Sequence, residues 1–312
     1  MNIFLLAFLS WVAWSMLKRA RQKRAQSKLV PFREVAVSQR DSSGDRKGGK
    51  VLLVGGMGRA GRAVAEKLGE DCKLETSVLD LYIPESGERE SSVASYVQCD
   101  PTSAEDMYIA LQGVETVYVM SMLSLPGEGK GTAPPAIPIS DTMMRNIIDG
   151  CSSCGVKQLV VVTEMTHTLS KLVAKHKTSS IVKVTEQSEA GGSTAQEQMV
   201  IGAPGDNLRT CIVRAGLLCC CHGDGRVEIE DEAQVSGKSY PTKTVPMVTA
   251  EHLAEVVVAS AAVLSGGTQH GQVFLASEMT SEEQGLAWQE QTSDSGPDVV
   301  VDNSETKRLL KI

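Results

Sequence analysis

Four glycines between Gly55 and Gly61 and one acidic residue, Asp80, are the groups of this chain whose spacing points most directly to chemistry. They satisfy two patterns at once, Gly56-x-Gly58-x-x-Gly61 and Gly55-x-x-Gly58-x-x-Gly61. A backbone stripped of side chains turns sharply and lets a diphosphate reach main-chain N–H groups. The N-terminus of a following helix then meets the anion with its partial positive charge. Met57, Arg59 and Ala60 fill the positions between the glycines and belong to the same expected cofactor contact. Asp80 stands about 20 residues beyond the last glycine, where a carboxylate can accept both hydroxyls of an adenosine ribose. That charge opposes a 2′-phosphate and favours NAD, whereas Arg59 and Arg62 are close enough in sequence to hold the extra phosphate of NADP.

The surrounding residues are those such a turn needs. Val51 to Val54 is an unbroken apolar run that suits a parallel strand buried on both faces. Ala60, Ala63, Val64, Ala65 and Leu68 give the next segment one apolar side, with Gly69 as its expected stop. Ser77 to Asp80 reads as the second strand and Val93 to Gln98 as the third. Ser103 to Leu111 reads as a helix capped by Ser103. Thr116 to Met120 is the fourth strand, Leu125 to Pro138 a surface loop, Asp141 to Cys154 a helix ended by Gly155, and Gln158 to Thr163 the fifth strand. Ser193 to Ile201 and Thr210 to Val213 are a further helix and the sixth strand. Strands alternating with helices at this spacing predict an α/β fold, a doubly wound parallel sheet with ligands at the carboxyl ends of its strands.

The N-terminus has a different character. Met1 to Leu17 is almost wholly apolar and is followed by Lys18, Arg19, Arg21, Lys23, Arg24 and Lys28. No basic stretch precedes the run and no small-residue cleavage site follows it, which argues for a retained membrane anchor rather than a cleaved signal. Trp11 and Trp14 suit the interface, and the basic flank belongs on the cytosolic side, the endoplasmic reticulum being the expected membrane. The competing expectation is an organellar targeting peptide that is later removed, since no acidic residue precedes Glu34. Val35 to Lys50 is polar and rich in Gly and Ser, as a flexible tether would be. The expected organisation is therefore an anchor over 1–17, a basic flank and tether over 18–49, and one NAD(P)-binding domain over 50–312 that includes a small C-terminal substrate-binding part. The net charge of −7, with the basic residues gathered near the anchor, leaves the domain acidic and argues against a nucleic-acid partner. Among the eight cysteines, Cys151-x-x-Cys154 and the run Cys219 to His222 invite a zinc reading. Neither has a partner pair at finger-like spacing, so they are read as reduced, structural thiols and no metal is expected.

The order of motifs resembles the short-chain dehydrogenase/reductase superfamily in its extended and atypical branches, which include 3β-hydroxysteroid dehydrogenase-like, epimerase-like and NmrA-like proteins. The residues that carry the likeness are VLLVGGMGRAGRAVAEKL, then VQCD, ALQGVETVYVMS, NIIDGCSSCGVKQLVVVT and IVRAGLL, followed by VPMVTAEHLAEVV and VVVDNSETKRLL. The resemblance implies a Rossmann domain in which Asp100 meets the adenine amino group, Ser121 lies beside the cofactor, and the C-terminal part holds a small-molecule substrate. It also implies oxidoreductase chemistry driven by a tyrosine whose pKa is lowered by a lysine four residues on.

That pair is missing. None of the tyrosines at 82, 96, 108, 118 and 240 has lysine at the fourth position after it. With Glu197 set on the family's common glutamate, Glu189 and Ser193 occupy the places of Tyr and Lys. Tyr240-Pro-Thr-Lys243 is one residue short and holds a proline, so it reads as a loop. If the protein is catalytic, acid/base work falls to Thr163, Thr166 and His167, with Lys171 or Lys175 in support; otherwise His167 is a solvated loop histidine and the protein a non-catalytic dinucleotide sensor or scaffold.

Overall fold

Alternation along the strand Lys50–Val54 divides the core in two. Leu52 and Val54 face one side of the sheet, Val51 and Leu53 the other, and all four are at most 2% exposed. The structure is a computed structural model and describes residues 30–37, 49–124, 136–165, 181–184, 194–203, 207–221, 227–229, 247–266, 271–277, 298–301 and 304–311.

In chain order its strands are β1 (Arg33–Ala36), β2 (Lys50–Val54), β3 (Glu75–Asp80), β4 (Ser95–Gln98), β5 (Val114–Val119), β6 (Met122–Ser124), β7 (Ala136–Pro138), β8 (Gln158–Glu164), β9 (Ile181–Val184), β10 (Arg209–Ala215), β11 (Leu217–Cys221), β12 (Val227–Ile229), β13 (Met247–Thr249), β14 (Gln272–Ala276) and β15 (Asp298–Val301). The helices are α1 (Arg59–Glu66), α2 (Ala104–Ala110), α3 (Asp141–Cys154), α4 (Ala195–Ile201), α5 (Ala250–Ser265) and α6 (Ser304–Leu310). The main sheet has eight strands in the order β1-β4-β3-β2-β5-β8-β10-β14, every neighbouring pair parallel except β1 with β4. Strand order reverses beside β2, which places the switch point where the glycine turn begins.

Helices α2, α3 and α4 cover one face through Met107, Met143, Met144, Ile147 and Val200. Helices α1, α5 and α6 cover the other through Val64, Leu253, Val257 and Leu310. Each layer is closed by local chemistry. Ser103 accepts the N–H of Asp106 at the start of α2, Ser140 that of Met143 at the start of α3, and Thr249 that of His252 at the start of α5. Gly155 ends α3 at φ 72°. The C-terminal part adds a three-stranded sheet, β12-β11-β13, and a parallel β9-β15 pair, while Thr306 Oγ1 accepts the N–H of Leu275 and fastens α6 to β14.

Three local expectations are corrected. Gly69 does not stop the first helix: α1 continues as a π-turn, Lys67–Asp71, and the chain leaves only at Lys73, at φ 56°. Gly69 is instead a place of close approach, where a Cβ would run into the carbonyl of Ser92. Within the stretch read as a loop, Ala136–Pro138 pairs antiparallel with Met122–Ser124. The stretch read as tether, Val35 to Lys50, begins inside β1, so Val35 and Ala36 are strand residues, and residues 38–48 lie outside the described ones. Among the described residues no helix is long and apolar enough to cross a membrane, and Met1 to Leu17 lies outside them.

Candidate functional site

The glycine turn leaves β2 at Gly55, whose φ of +78° is open to glycine and strained for any other L-residue. Its N–H donates to the carbonyl of Leu79 at 2.8 Å, and a Cβ there would strike the carbonyl of Met122. Gly61, in the first turn of α1, would place a Cβ 2.6 Å from Gly56 Cα and 2.7 Å from Gly55 O, so only glycine lets helix and turn pack this closely. Gly58 is the N-cap of α1, carries no side chain to accept the first amides, and has nothing within 4 Å of its Cβ position. The start of the helix therefore has no side-chain cap, and a helix N-terminus of this kind is where an anion is favourably bound.

Asp80 secures the turn from below. Its carboxylate is 1% exposed and accepts the N–H of Met57 at 3.2 Å and that of Leu81 at 2.9 Å. Met57 in turn accepts the Nε–H of Arg62 at its carbonyl, at 3.1 Å. Arg62 also lies 3.6 Å from Glu90 and hydrogen-bonds Tyr82. The Tyr82 phenol is pushed up chiefly by burial, with Arg62 pulling the other way. Arg59 and Ala60 open α1, Arg59 exposed and Ala60 half-buried.

At the carboxyl edge of β5, Ser121 is half-buried next to the glycine turn, since Met120 Cβ and Met122 O on either side of it are what the Gly55 position abuts. Asp100, 4% exposed, follows β4, and its Oδ1 accepts both the N–H and the hydroxyl of Thr102, at 2.9 and 2.8 Å. Asn146 on α3 donates to the carbonyls of Pro101 and Thr102 and ties the third layer of the fold to this corner. The glycines, Asp80, Asp100 and Ser121 thus gather along one rim of the sheet. An N-cap without a side chain, on the same rim as Asp80, Asp100 and Ser121, fits a dinucleotide diphosphate flanked by a ribose.

The acid/base candidates are less assembled. Thr166 and His167 lie outside the described residues, as do Lys171, Lys175, Glu189, Ser193, Tyr240 and Lys243. Thr163, 6% exposed at the end of β8, donates its hydroxyl to Glu197 Oε1 at 2.7 Å. Glu197 and Arg214, neither of them exposed, face each other across α4 and β10: Arg214 Nε is 3.1 Å from Oε1 and the second guanidinium arm 3.2 Å from Oε2. The N–H of Thr194 completes the glutamate at 3.0 Å and forms the capping box of α4. The signal for this pair was an arginine set in the apolar run TCIVRA, since a charge in a buried strand must find a counter-ion. Of the first cysteine cluster, Cys151 is a free thiol fully buried on α3, its pKa pushed far up by burial, and Cys154 is a free thiol that donates to the Tyr108 carbonyl at 3.5 Å. His222 of the other cluster lies outside the described residues.

Comparison with solved structures places the fold. The chain is similar to UDP-N-acetylglucosamine 4-epimerase from Bacillus cereus at 15% identity and TM-score 0.52, over 84% of this chain and 92% of that one. It is similar to UDP-glucuronic acid 4-epimerase from Bacillus cereus in complex with NAD at 14% identity and TM-score 0.58, over 84% and 90%. The Bordetella bronchiseptica enzyme WbmG in complex with NAD aligns at 14% identity and TM-score 0.55, over 86% and 90%. At these identities the likeness establishes the shared architecture alone, a Rossmann-type sheet. No curated protein sequence matches the chain. The family model described as NAD(P)H-binding matches residues 55–263, which begin at the first glycine of the turn and take in more than half of the sequence, and the chain belongs to that NAD(P)H-binding family.

Proposed function

We propose that the protein is an NAD(P)-dependent oxidoreductase of the short-chain dehydrogenase type, held at a membrane by its N-terminal segment with the domain on the cytosolic side, and acting on a small apolar molecule. The observation that carries the reading is the bare N-cap at Gly58, backed by a buried Asp80 that already holds the turn in shape. NAD is favoured over NADP. The Asp80 carboxylate stands where a 2′-phosphate would bring further negative charge, and Arg62 is already engaged with Met57 O, Glu90 and Tyr82.

A bound nicotinamide would supply the hydride acceptor or donor. The chain's own task is to orient a substrate oxygen and handle its proton. Thr163 spends its one hydroxyl proton on Glu197, so its oxygen serves as an acceptor that orients a substrate hydroxyl rather than as an acid. Proton exchange then falls to the neighbouring Thr166 and His167, an imidazole being suited to that role near neutral pH.

The test uses the full chain in detergent or lipid nanodiscs. Calorimetric titration should register NAD(H) binding, and Gly58→Asp, which sets a carboxylate against the phosphates, should abolish it. Undiminished binding in that variant would overturn the site. A second reading, a dinucleotide sensor without turnover, is favoured by one observation, the commitment of Thr163 to a buried glutamate in a chain that lacks Tyr-x-x-x-Lys. Turnover with any member of a panel of sterols, carbonyl compounds and sugar nucleotides supports the enzyme; tight binding with no turnover supports the sensor.

A further inference from the structure

We propose that β1 is a strap that turns the carboxyl edge of the sheet, the edge bearing the glycine turn, toward a lipid surface. The inference rests on the membrane-held reading above and adds an orientation to it.

Direction is the first argument. β4 runs parallel to its neighbour β3, while β1 runs against it, Arg33 opposite Gln98 and Ala36 opposite Ser95. The chain therefore enters the sheet at the carboxyl end of β4, on the rim of Asp80, Asp100 and the glycine turn, and leaves at the amino end. The first described residues, from Val30 on, therefore stand toward the cofactor rim.

The strap is also fastened. Val30 and Phe32 pack against the core on the α2/α3 face. Ser95 Oγ donates to Glu34 Oε1 at 3.1 Å and lies 2.8 Å from Ser77 Oγ, which links β1, β4 and β3 in one row. The N–H of Val37 reaches the carbonyl of Ala94 at 2.9 Å and extends the ladder past the strand's end.

Length turns these contacts into an orientation. Were the chain unattached from the apolar run to Gly49, its leash would reach on the order of 100 Å and the domain could face any way. With β1 fastened, about a dozen residues remain between Leu17 and Val30, a reach of about 40 Å at full stretch. The basic residues Lys18, Arg19, Arg21, Lys23, Arg24 and Lys28 fall within that span and draw it toward anionic headgroups, which shortens it further. A globule of about 260 residues is roughly 45 Å across. A leash of that length starting at the carboxyl edge does not pass around the domain, so that edge is held toward the bilayer. An apolar substrate leaving the membrane then meets the cofactor rim first.

The test places a fluorescent coumarin amino acid in the full-length protein at Glu105, exposed in the first turn of α2 at the carboxyl edge, or at Lys157, exposed just before β8 at the amino edge. The protein is bound to phosphatidylcholine/phosphatidylserine vesicles that carry a headgroup-linked acceptor dye. Energy transfer should be several-fold greater from position 105 than from position 157. Val35→Pro, which removes a ladder N–H opposite Tyr96, should equalise the two without affecting flotation with the vesicles. Inserting about thirty Gly/Ser residues before Val30 should equalise them too while leaving β1 intact, which guards against misfolding of the proline variant. Equal transfer from both positions in the native chain, with flotation retained, overturns the orientation and leaves the membrane-held reading standing. So does a difference that survives both variants. Failure to float at all overturns the membrane-held reading and the strap with it.

Discussion

Thr163 donates its hydroxyl to Glu197 across 2.7 Å, and the same glutamate faces Arg214 with both of its oxygens, so three residues from β8, α4 and β10 share one buried carboxylate. Nothing in this cluster is more than 6% exposed. Charges placed so deep hold together only as a set, because each desolvated member needs the others.

The first prediction follows from that mutual need. Glu197→Ala takes from the Arg214 guanidinium and the Thr163 hydroxyl the buried carboxylate that they share, and should lower stability by about 3–5 kcal/mol. Thr163→Val removes one neutral donor to a carboxylate that keeps its other partners, and should cost about 1–3 kcal/mol. Urea unfolding followed by far-UV dichroism separates them. Equal costs would mean that the pair is not the centre of the cluster.

Packing at the turn gives the second. Gly61→Ala sets a methyl against backbone, 2.6 Å from Gly56 Cα, where no side chain can move aside. It should destabilise by about 1–3 kcal/mol and weaken nucleotide binding by shifting α1. Gly87→Ala, with nothing within 4 Å of its Cβ, is the matched control and should leave both unchanged.

Asp80 has two tasks that one substitution separates. Asp80→Asn keeps the shape but removes the charge, and an amide can accept at only one of its two ends. Since the two carboxylate oxygens now accept from Met57 and Leu81 on different sides, the turn should loosen. NAD affinity should fall about 10-fold or more, the scale of a charge-assisted hydrogen bond. NADP affinity should fall less, because the repulsion of the 2′-phosphate is lost as well. Calorimetry with both nucleotides reads the ratio, and an unchanged ratio would remove Asp80 from cofactor selection.

The first βα unit was legible because its signals are local. An apolar run, glycines at fixed spacing and an acidic residue on the next strand occupy one stretch of chain, and each answers a short-range steric or electrostatic demand. β1 was not legible. Its four residues are largely exposed, and its partner β4 lies some 60 residues away in sequence, so the pairing is set by hydrogen bonds that no window along the chain contains. β7 was hidden likewise, three residues at the end of a proline-rich stretch that pair with β6. Gly69 misled for the opposite reason: a glycine near the end of an apolar face reads as a stop, yet here it admits the backbone of Ser92. Arg214 was passed over, although a charge inside an apolar strand is a signal that the sequence carries, and its pairing with Glu197 came only from the fold.

Burial of the cysteines and tyrosines yields the last prediction, an alkaline limb of stability. The Cys211 thiol, on β10 and fully buried, is pushed up from 9.0 to about 12 by loss of solvent, against a smaller opposing pull from its hydrogen bond with Ser260. Cys151 and Tyr118 are raised by burial as well. Because the folded-state pKa lies above the unfolded one, the unfolded chain releases its proton first as pH rises. The contribution is therefore complete below about pH 9 and is lost progressively between there and about pH 12. Each such group adds up to about 1.4 kcal/mol of lost stability per pH unit within its window. Cys211→Ala should lower stability near neutrality through the cavity it leaves, and should make the alkaline limb shallower by one proton's worth. Urea midpoints measured across that range check both. A limb equally steep in the variant would place the Cys211 proton outside the folding equilibrium.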